Sequence, residues 1–505
     1  MSSWGLKRSW GFFAMVVVVV LAGCRSEPEP PFGKGHPSME RLDGQWVMRG
    51  ETLTWPLGDT QLATSDTELS NAEVTVAGVV AGASVTGSPP EISFTVPHSI
   101  PAGLQVVTIE LDGVPVAETT VNVFGDDVIL GEITLVVAAG MTEDDIAEMI
   151  GSTEFAFVGD PRPLGAEHGP CSGELITISV HDEDTAAALN RLQEQSGFAD
   201  TIWHSDPKSG YDSGAGALGW GTGLGDGLQP ARSGSFDGNG TVIAVIDTGV
   251  SPHRELGLRL LSEFGYDFVD EGSAALDAFG SVGHGTAVAV LAAGAKLGVA
   301  PGAEVLPVRV CDENGVCHTP DIALGLCHAL STTERQLSGM SNLVLNLSFG
   351  GETPNAMIDA ILRYAVENDV LVAASGGNEG QQGSPPHFPA AGNVAGVVAV
   401  AALEKGSGDG SDWIPASFSS SGSYLDIAAP GVGLKSGTSS GGYQPKFAGT
   451  SFATASAAGA LALWREAQPG MSPERIEQAL KDAARQLPYP EDQVGAGMLD
   501  WSESP

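Results

Sequence analysis

The chain has few basic residues. Its 505 residues include 23 Lys and Arg against 62 Asp and Glu, which gives a formal net charge of −39. Nucleic-acid binding needs clustered cations to neutralise phosphates, so this composition excludes that function. Charged residues make up only 17% of the chain and apolar residues 42%. That balance is typical of folded globular domains rather than of disordered segments.

Apolar runs that approach the length of a membrane span are also scarce. The run from Trp10 to Ala22 follows Lys7 and Arg8, and a charged start with a short apolar centre predicts a secretory signal over residues 1–23. The run is short for a membrane span. Leu21-Ala22-Gly23-Cys24 resembles the processing site of bacterial lipoproteins. That resemblance implies a lipid on Cys24 and hence a membrane partner. Arg25, where an Asp would signal inner-membrane retention, points to the outer membrane or cell surface.

Cysteines number only five, too few for a small disulfide-dense scaffold. With Cys24 assigned to lipidation, Cys171, Cys311, Cys317 and Cys327 remain, and three pairings are open. Cys311 and Cys317 flank an Asn-Gly turn, which favours a disulfide across a hairpin. The alternative is a metal site, whose ligands would be Cys311, Cys317, His318, Cys327 and His328. Their spacing matches no standard zinc pattern.

Changes in composition and in residue pattern divide the rest of the chain into segments. Residues 24–45 are rich in Pro, Gly and charge and predict a tether. Residues 46–125 alternate apolar and polar residues in short runs such as AEVTVAG and PEISFTVP. This pattern predicts a small β-sandwich, which resembles immunoglobulin-like or IPT-like modules. Residues 126–206 predict strands alternating with helices, an arrangement that resembles the ferredoxin-like split βαβ unit. Residues 207–240 predict a Gly-rich connection.

From residue 241 to 505, continuous apolar runs alternate with Ala-rich helical segments. TVIAVID, EVLPVRV, LVLNLSF, VLVAAS and GVVAVAAL are typical of parallel strands that are buried on both faces. HGTAVAVLAAGA, PDIALGLCHAL and NAMIDAILRYAVEN predict helices between them. The expected fold is therefore α/β, with a doubly wound and mostly parallel sheet.

Four polar residues stand at predicted strand ends or helix starts. Asp247 ends TVIAVID, His284 begins an apolar helix, Asn378 follows VLVAASGG, and Ser451 begins the helix in FAGTSFATA. Open α/β sheets build their sites at such positions. Each residue also has an ordinary structural explanation: a turn Asp, a loop His, a turn Asn with positive φ, or a Ser at a helix N-cap. The four together, in this order and context, favour a shared site.

This set of motifs resembles the subtilisin-like serine proteases over roughly residues 240–500. The resemblance implies a catalytic triad of Asp247, His284 and Ser451, with the amide of Asn378 in an oxyanion hole. It also implies a substrate-pairing segment at Ser348, Phe349 and Gly350. Ala455 and Ser456 replace the Pro and His with which the family usually continues its Ser motif. Neither of these residues performs the chemistry.

The same resemblance gives residues 126–206 a role as a propeptide that helps the enzyme to fold and then occupies its active site. Polypeptide substrates and the chain's own propeptide are the expected partners. No cofactor is required for this chemistry and no metal ligands are assigned. Calcium sites are common in the family, but the acidic stretches DFVDEG and DENG match no calcium-binding loop pattern.

The chain also contains a second serine motif. Gly437-Thr438-Ser439-Ser440-Gly441 fits the G-x-S-x-G pattern of α/β-hydrolases. Those enzymes place their catalytic His after the Ser, whereas the last His of this chain is His387. The motif also lies in a polar loop rather than between a strand and a helix. Ser439 is therefore not expected to be the nucleophile.

The sequence predicts a lipid-anchored serine endopeptidase that is made as a self-processed zymogen. Cleavage between about residues 200 and 240 would sever the catalytic domain from Cys24 and either release it or leave it held by the propeptide. The alternative is a surface binding or adhesion lipoprotein with an idle protease fold. Only the predicted β-sandwich supports that alternative.

Overall fold

The computed structural model describes residues 45–56, 72–86, 91–111, 113–125, 127–137, 140–150, 155–166, 169–180, 185–194, 202–212, 235–392, 394–406 and 412–500. The predicted signal segment, Cys24, almost all of the predicted tether and residues 213–234 of the predicted connection lie outside them. Within these ranges, no helix is long and apolar enough to cross a bilayer.

The first unit, residues 45–123, consists of two β-sheets around one core. Its strands are β1 (Gln45–Val47), β2 (Thr52–Pro56), β3 (Ala72–Val76), β4 (Val79–Ala81), β5 (Ala83–Thr86), β6 (Glu91–Thr95), β7 (Gly103–Leu111) and β8 (Val114–Val123). The larger sheet has the order β1-β8-β7-β3-β4 and the smaller one β2-β6-β5. Both sheets contribute to a shared apolar core that includes Trp55, Phe94 and Val121. The sheets therefore pack face to face.

The middle unit, residues 128–212, is a sheet with two helices. Its elements are β9 (Val128–Val137), α1 (Glu143–Ile150), β10 (Ala156–Phe157), β11 (Arg162–Pro163), β12 (Glu174–Ser179), α2 (Thr185–Glu194) and β13 (Ile202–Asp212). The strand order is β10-β12-β9-β13, and every neighbouring pair is antiparallel. Thr142 caps α1, since its Oγ1 accepts the Asp145 N–H at 3.3 Å and Asp145 Oδ2 accepts the Thr142 N–H at 2.8 Å.

The C-terminal unit, residues 235–500, contains the large sheet. Its strands are β14 (Val242–Asp247), β15 (Tyr266–Asp267), β16 (Glu304–Arg309), β17 (Val316–His318), β18 (Leu343–Leu347), β19 (Leu371–Ser375), β20 (Val397–Lys405), β21 (Trp413–Pro415), β22 (Ile427–Pro430), β23 (Val432–Gly437) and β24 (Tyr443–Ala448). Its helices are α3 (His284–Ala293), α4 (Thr319–Gln336), α5 (Ala356–Glu367), α6 (Thr450–Ala467), α7 (Pro473–Ala483) and α8 (Glu491–Val494). The large sheet has the order β15-β16-β14-β18-β19-β20-β21, with β22 also paired to β20. All of these pairs are parallel except β20 with β21.

Helices cover both faces of this sheet. Ile243 and Val245 of β14 join a core with α3 and α6, while the alternate residues Ala244 and Ile246 join a second core with α4 and α5. A strand buried on both faces must be apolar at every position, which explains the continuous apolar runs. The α/β prediction for this part of the chain is confirmed, although α4 extends to Gln336, beyond the predicted PDIALGLCHAL segment.

Helix α6 lies against α3 where it carries a glycine. A Cβ added to Gly459 would lie 2.7 Å from Val299 Cβ and 2.8 Å from the carbonyl oxygen of Ala292. Because the first of these atoms belongs to a packed core side chain and the second to backbone, neither can move freely. Gly459 therefore sets how closely the serine-bearing helix approaches its neighbour.

We expect Gly459→Ala to lower the free energy of unfolding by about 1–3 kcal/mol, the usual cost of overpacking. Alanine favours helix over glycine by about 1 kcal/mol, so a net loss would mean that crowding outweighs propensity. Urea unfolding of the Ser451→Ala protein, chosen to prevent the expected self-digestion, measures the change. Gly470→Ala is the matched control, because no atom lies within 4 Å of its added Cβ. An equal effect of both changes would contradict the packing argument.

Candidate active site

Asp247 is the last residue of β14 and is completely buried. Its Oδ1 accepts the Thr248 N–H at 2.7 Å and lies 2.7 Å from Nδ1 of His284. A buried carboxylate in this position fixes which imidazole nitrogen carries a proton and stabilises the ring when it becomes a cation. The structure thus joins two of the predicted site residues directly.

His284 is the first residue of α3 and is also completely buried. The helix can begin this close to β14 because residue 285 is glycine. A Cβ added to Gly285 would lie 2.2 Å from the Gly249 carbonyl oxygen and 3.0 Å from Asp247 Oδ1. Any larger residue would push the imidazole away from its carboxylate. The glycine that follows His284 in the sequence therefore has a steric function.

Ser451 is the second residue of α6, and Gly449 occupies the N-cap position. The N-cap interpretation of Ser451 is therefore wrong, because its backbone is already helical. Its Oγ donates to the Ser348 carbonyl oxygen at 3.2 Å, and Ser348 Oγ donates to the Ser451 carbonyl oxygen at 3.0 Å. The ring of the next residue, Phe452, lies 5.4 Å from that of His284. The start of α6 thus lies beside the start of α3.

Asn378 follows β19 and reaches the start of α6. Its Oδ1 accepts two hydrogen bonds from Thr450, from the backbone N–H at 2.9 Å and from Oγ1 at 3.0 Å. An amide oxygen that is held in this way leaves the NH₂ group as the donor of the side chain. The structure therefore brings Asn378 and Ser451 to one place and orients the amide.

Ser348, Phe349 and Gly350 come directly after β18, the strand between β14 and β19. The Phe349 carbonyl oxygen accepts Ser375 Oγ at 3.1 Å. A Cβ on Gly350 would lie 2.2 Å from His387 Nε2, so this stretch of backbone lies tightly against its neighbours. The segment begins at the residue that exchanges hydrogen bonds with Ser451.

Sequence reasoning missed a second buried carboxylate, that of Asp277. Its Oδ1 accepts Thr248 Oγ1 at 2.9 Å and its Oδ2 accepts the Thr286 N–H at 2.7 Å. Burial raises the pKa of Asp277, and the charge of nearby Asp247 adds to the rise. Through Thr248 and Thr286, Asp277 braces both the residue after Asp247 and the first turn of α3. Its position in DAFGSVGHG, the loop that leads into His284, was the available signal.

Glu379, beside Asn378, holds the loop rather than pointing away from it. Its Oε2 accepts the Asn378 N–H at 2.7 Å and lies 3.4 Å from His387 Nδ1. Burial alone would raise the pKa of Glu379, but hydrogen bonding and the charge of His387 outweigh it and lower the pKa. The ionised carboxylate therefore stabilises the turn that presents Asn378.

The four cysteines among the described residues form two disulfides. Cys311 pairs with Cys317 and Cys171 with Cys327. The first is the pairing that the Asn-Gly turn favours, and β17 begins directly after that turn. The metal-site alternative is wrong, because Cys311, Cys317 and Cys327 all have their sulfur bonded to another sulfur. Among the residues that the structure describes, no group of three or more His, Cys, Asp or Glu is placed to hold a metal ion.

Ser439 lies in the turn between β23 and β24, not between a strand and a helix. Its Oγ donates to the Gly280 carbonyl oxygen at 3.0 Å. The local setting of a nucleophile elbow is therefore missing at Ser439, as the sequence argument expects.

We expect Glu379→Gln to lower the free energy of unfolding by about 1 kcal/mol near neutral pH, because the partly buried hydrogen bonds to the carboxylate are weakened. The folded-state pKa of Glu379 lies below its ordinary value. The stabilisation is therefore present above that ordinary value and is lost as pH falls through the folded-state pKa. Urea unfolding at pH 7 and in strongly acidic buffer measures the difference between the two proteins. Glu313→Gln, at an exposed position, is the control, and a gap that does not shrink in acid would contradict the assignment.

Several known proteins are similar to this chain in sequence. A model of the subtilase family (Peptidase S8) matches residues 238–497. Subtilisin BL of Lederbergia lenta is 36% identical over 264 residues, which cover 51% of this chain and 88% of that protein. A thermostable alkaline protease of Halalkalibacterium halodurans is 31% identical over 349 residues, which cover 67% of this chain and 88% of that protein.

One solved structure shows the same fold. Fervidolysin from Fervidobacterium pennivorans, a keratinolytic enzyme related to subtilisin, has a TM-score of 0.55 and 20% identity, and the match covers 74% of this chain and 61% of that one. Across several curated relatives, the matched region spans between 62% and 88% of their length. The family match covers the strand ends and helix starts that carry Asp247, His284, Asn378 and Ser451. The chain therefore belongs to the subtilase family of serine endopeptidases.

Proposed function

We propose that this endopeptidase cleaves peptide bonds through Asp247, His284 and Ser451, by way of an acyl-enzyme. The observation that carries the proposal is the buried 2.7 Å contact between Asp247 and His284. A serine hydroxyl is a weak nucleophile and needs a base. His284 takes its proton on attack and returns it to the leaving amine. Asp247 holds the ring and stabilises the imidazolium.

The oxyanion formed on attack needs donors that are already in place. Asn378 supplies its side-chain NH₂, because its Oδ1 is held by Thr450. The second donor is the backbone N–H of Ser451, in the first turn of α6 at the positive end of the helix. Loss of such an asparagine costs about 10²–10³ in kcat in a subtilisin. Nucleophile, base and donors are all protein groups, so the reaction needs no cofactor.

The substrate would bind as an extended strand along Ser348–Gly350, through backbone groups. The exchange of hydrogen bonds between Ser348 and Ser451 supports this placement, because a chain paired with residues 348–350 passes the nucleophile. The names of the relatives, which are proteases, support polypeptides as the substrate class. The alternative of an adhesion lipoprotein with an idle protease fold finds no support in these comparisons.

The middle unit would be the propeptide of a self-processed zymogen. Its strand order and its two helices are those of a split βαβ unit. The match to the Halalkalibacterium halodurans protease covers 67% of the chain, more than the segment 238–497, so it includes residues before the catalytic domain.

Secretion and lipid attachment at Cys24 complete the proposal. They rest on the sequence alone, since the first 44 residues lie outside the described part of the chain. The enzyme would be held at the outer membrane or cell surface through the lipid.

A fluorophosphonate probe should label the processed wild-type enzyme at Ser451, because only an activated serine reacts. Ser451→Ala should abolish the labelling and Ser439→Ala should leave it intact. Gel fluorescence and peptide mass spectrometry provide the measurement. Labelling that is lost with Ser439→Ala and kept with Ser451→Ala would overturn the assignment of the nucleophile.

Self-processing predicts that the wild-type chain is cut between about residues 200 and 240, while Ser451→Ala stays whole. N-terminal sequencing of the mature species locates the cut, and Ser439→Ala, which should still process, is the matched control. If wild type and Ser451→Ala both accumulate intact, the zymogen proposal fails.

A further inference from the structure

One disulfide connects two units of the chain. Cys171 ends a short 3-10 turn of the middle unit (Gly169–Cys171). Cys327 lies in helix α4 of the C-terminal unit (residues 235–500), which carries the proposed catalytic residues and is called the catalytic unit from here on. The two cysteines are 156 residues apart, whereas Cys311 and Cys317 are six apart within one hairpin. Every peptide bond between residues 200 and 240 lies between Cys171 and Cys327. A cut in that range therefore leaves the two products covalently joined.

The disulfide lies inside a built interface. Cys171 is 1% exposed and Cys327 is completely buried. Leu164 and Leu175 of the middle unit share one apolar core with α4. A Cβ added to Gly169, whose φ is +76°, would lie 2.9 Å from Cε2 of Tyr364 in α5, so this turn fits tightly against the catalytic unit.

Polar contacts surround this core. Arg162 donates to Asp321 Oδ1 at 2.7 Å and to the Phe268 carbonyl oxygen at 2.8 Å. Residues 210–212 of β13 pair antiparallel with β17. The sheet of the middle unit thus continues through β17 into the hairpin that carries the other disulfide. Non-covalent contacts and a covalent bond therefore hold the same two units together.

We propose that the Cys171–Cys327 disulfide keeps the processed middle unit attached to the catalytic unit, so that the mature protein is a two-chain species. The proposal rests on the proposed self-processing of the zymogen. A tethered partner acts at an effective concentration on the order of millimolar, so dilution alone does not remove the middle unit. If Cys24 carries a lipid, the same bond keeps the catalytic unit on the membrane after the cut.

Release then requires thiol–disulfide exchange with a dithiol reductant. One thiolate of the reductant attacks either sulfur and the other sulfur leaves as a thiolate. The second thiol of the reductant then attacks the reductant's own sulfur in the mixed disulfide. This forms the reductant's disulfide and releases the second cysteine as a thiolate, so that both cysteines end as thiols. Because both sulfurs are buried, exchange in the folded protein waits for the interface to open. The bond thus couples separation of the two units to the redox state of the surroundings.

The test uses the full chain from Cys24 and two ways of cutting it. In one arm, wild-type protein processes itself. In the other, Ser451→Ala carries a recognition site for an exogenous sequence-specific protease within residues 213–226, so that the cut does not depend on self-processing. The products are run on denaturing gels with and without dithiothreitol, and the linked peptides are identified by mass spectrometry.

Without dithiothreitol we expect one band at the mass of the whole chain, and with it two bands. The double variant Cys171→Ser/Cys327→Ser should give two bands in both lanes. The matched variant Cys311→Ser/Cys317→Ser should behave like wild type, because that disulfide lies within one product. Two bands in the absence of thiol, from a cut chain that keeps all of its cysteines, would overturn the proposal. If wild type stays uncut while the exogenously cut chain remains linked, self-processing fails but the tether stands.

Discussion

The buried hydrogen bond between Asp247 and His284 can form only because strand β14 ends where helix α3 begins. Asp247 is carried by a strand whose apolar neighbours are buried on both faces, and His284 by a helix with no exposed residue. Gly285 permits the close approach of the two elements. Neither side chain can relax without moving the core of the C-terminal unit. The packing that stabilises this core therefore also fixes the geometry of the site.

The position of Ser451, the proposed nucleophile, depends in the same way on a second helix start. Ser451 lies in the first turn of α6, and the residue before it, Thr450, holds the oxygen of Asn378. The Asn378 loop is in turn held by Glu379, and the loop before His284 by Asp277. Two carboxylates, the buried Asp277 and the partly exposed Glu379, thus hold the loops that carry the proposed catalytic groups. Each accepts several hydrogen bonds, which offset part of the cost of removing its charge from water.

The middle unit is bound to the catalytic unit in three physically different ways. A strand pairing continues the sheet from β13 to β17, an apolar core is shared between the units, and a disulfide joins Cys171 to Cys327. Strand pairing and apolar contact are reversible and depend on concentration after a cut, but a covalent bond does not. A cut of the backbone between the two units would therefore not by itself separate them.

Much of the fold of the C-terminal unit and of the candidate site could be predicted from the sequence, because the patterns that indicate them are local. Continuous apolar runs indicate strands that are buried on both faces. Asp247, His284, Asn378 and Ser451 each stand in a distinctive short motif within two residues of a glycine. Tertiary structure alone decided the other features. Asp277 and Glu379 look like ordinary loop acids until burial and their donors are known, and Gly449 rather than Ser451 proved to be the N-cap of α6. The pairing of Cys171 with Cys327 joins residues 156 apart, and no short motif records which distant surfaces meet, because that depends on how whole units pack.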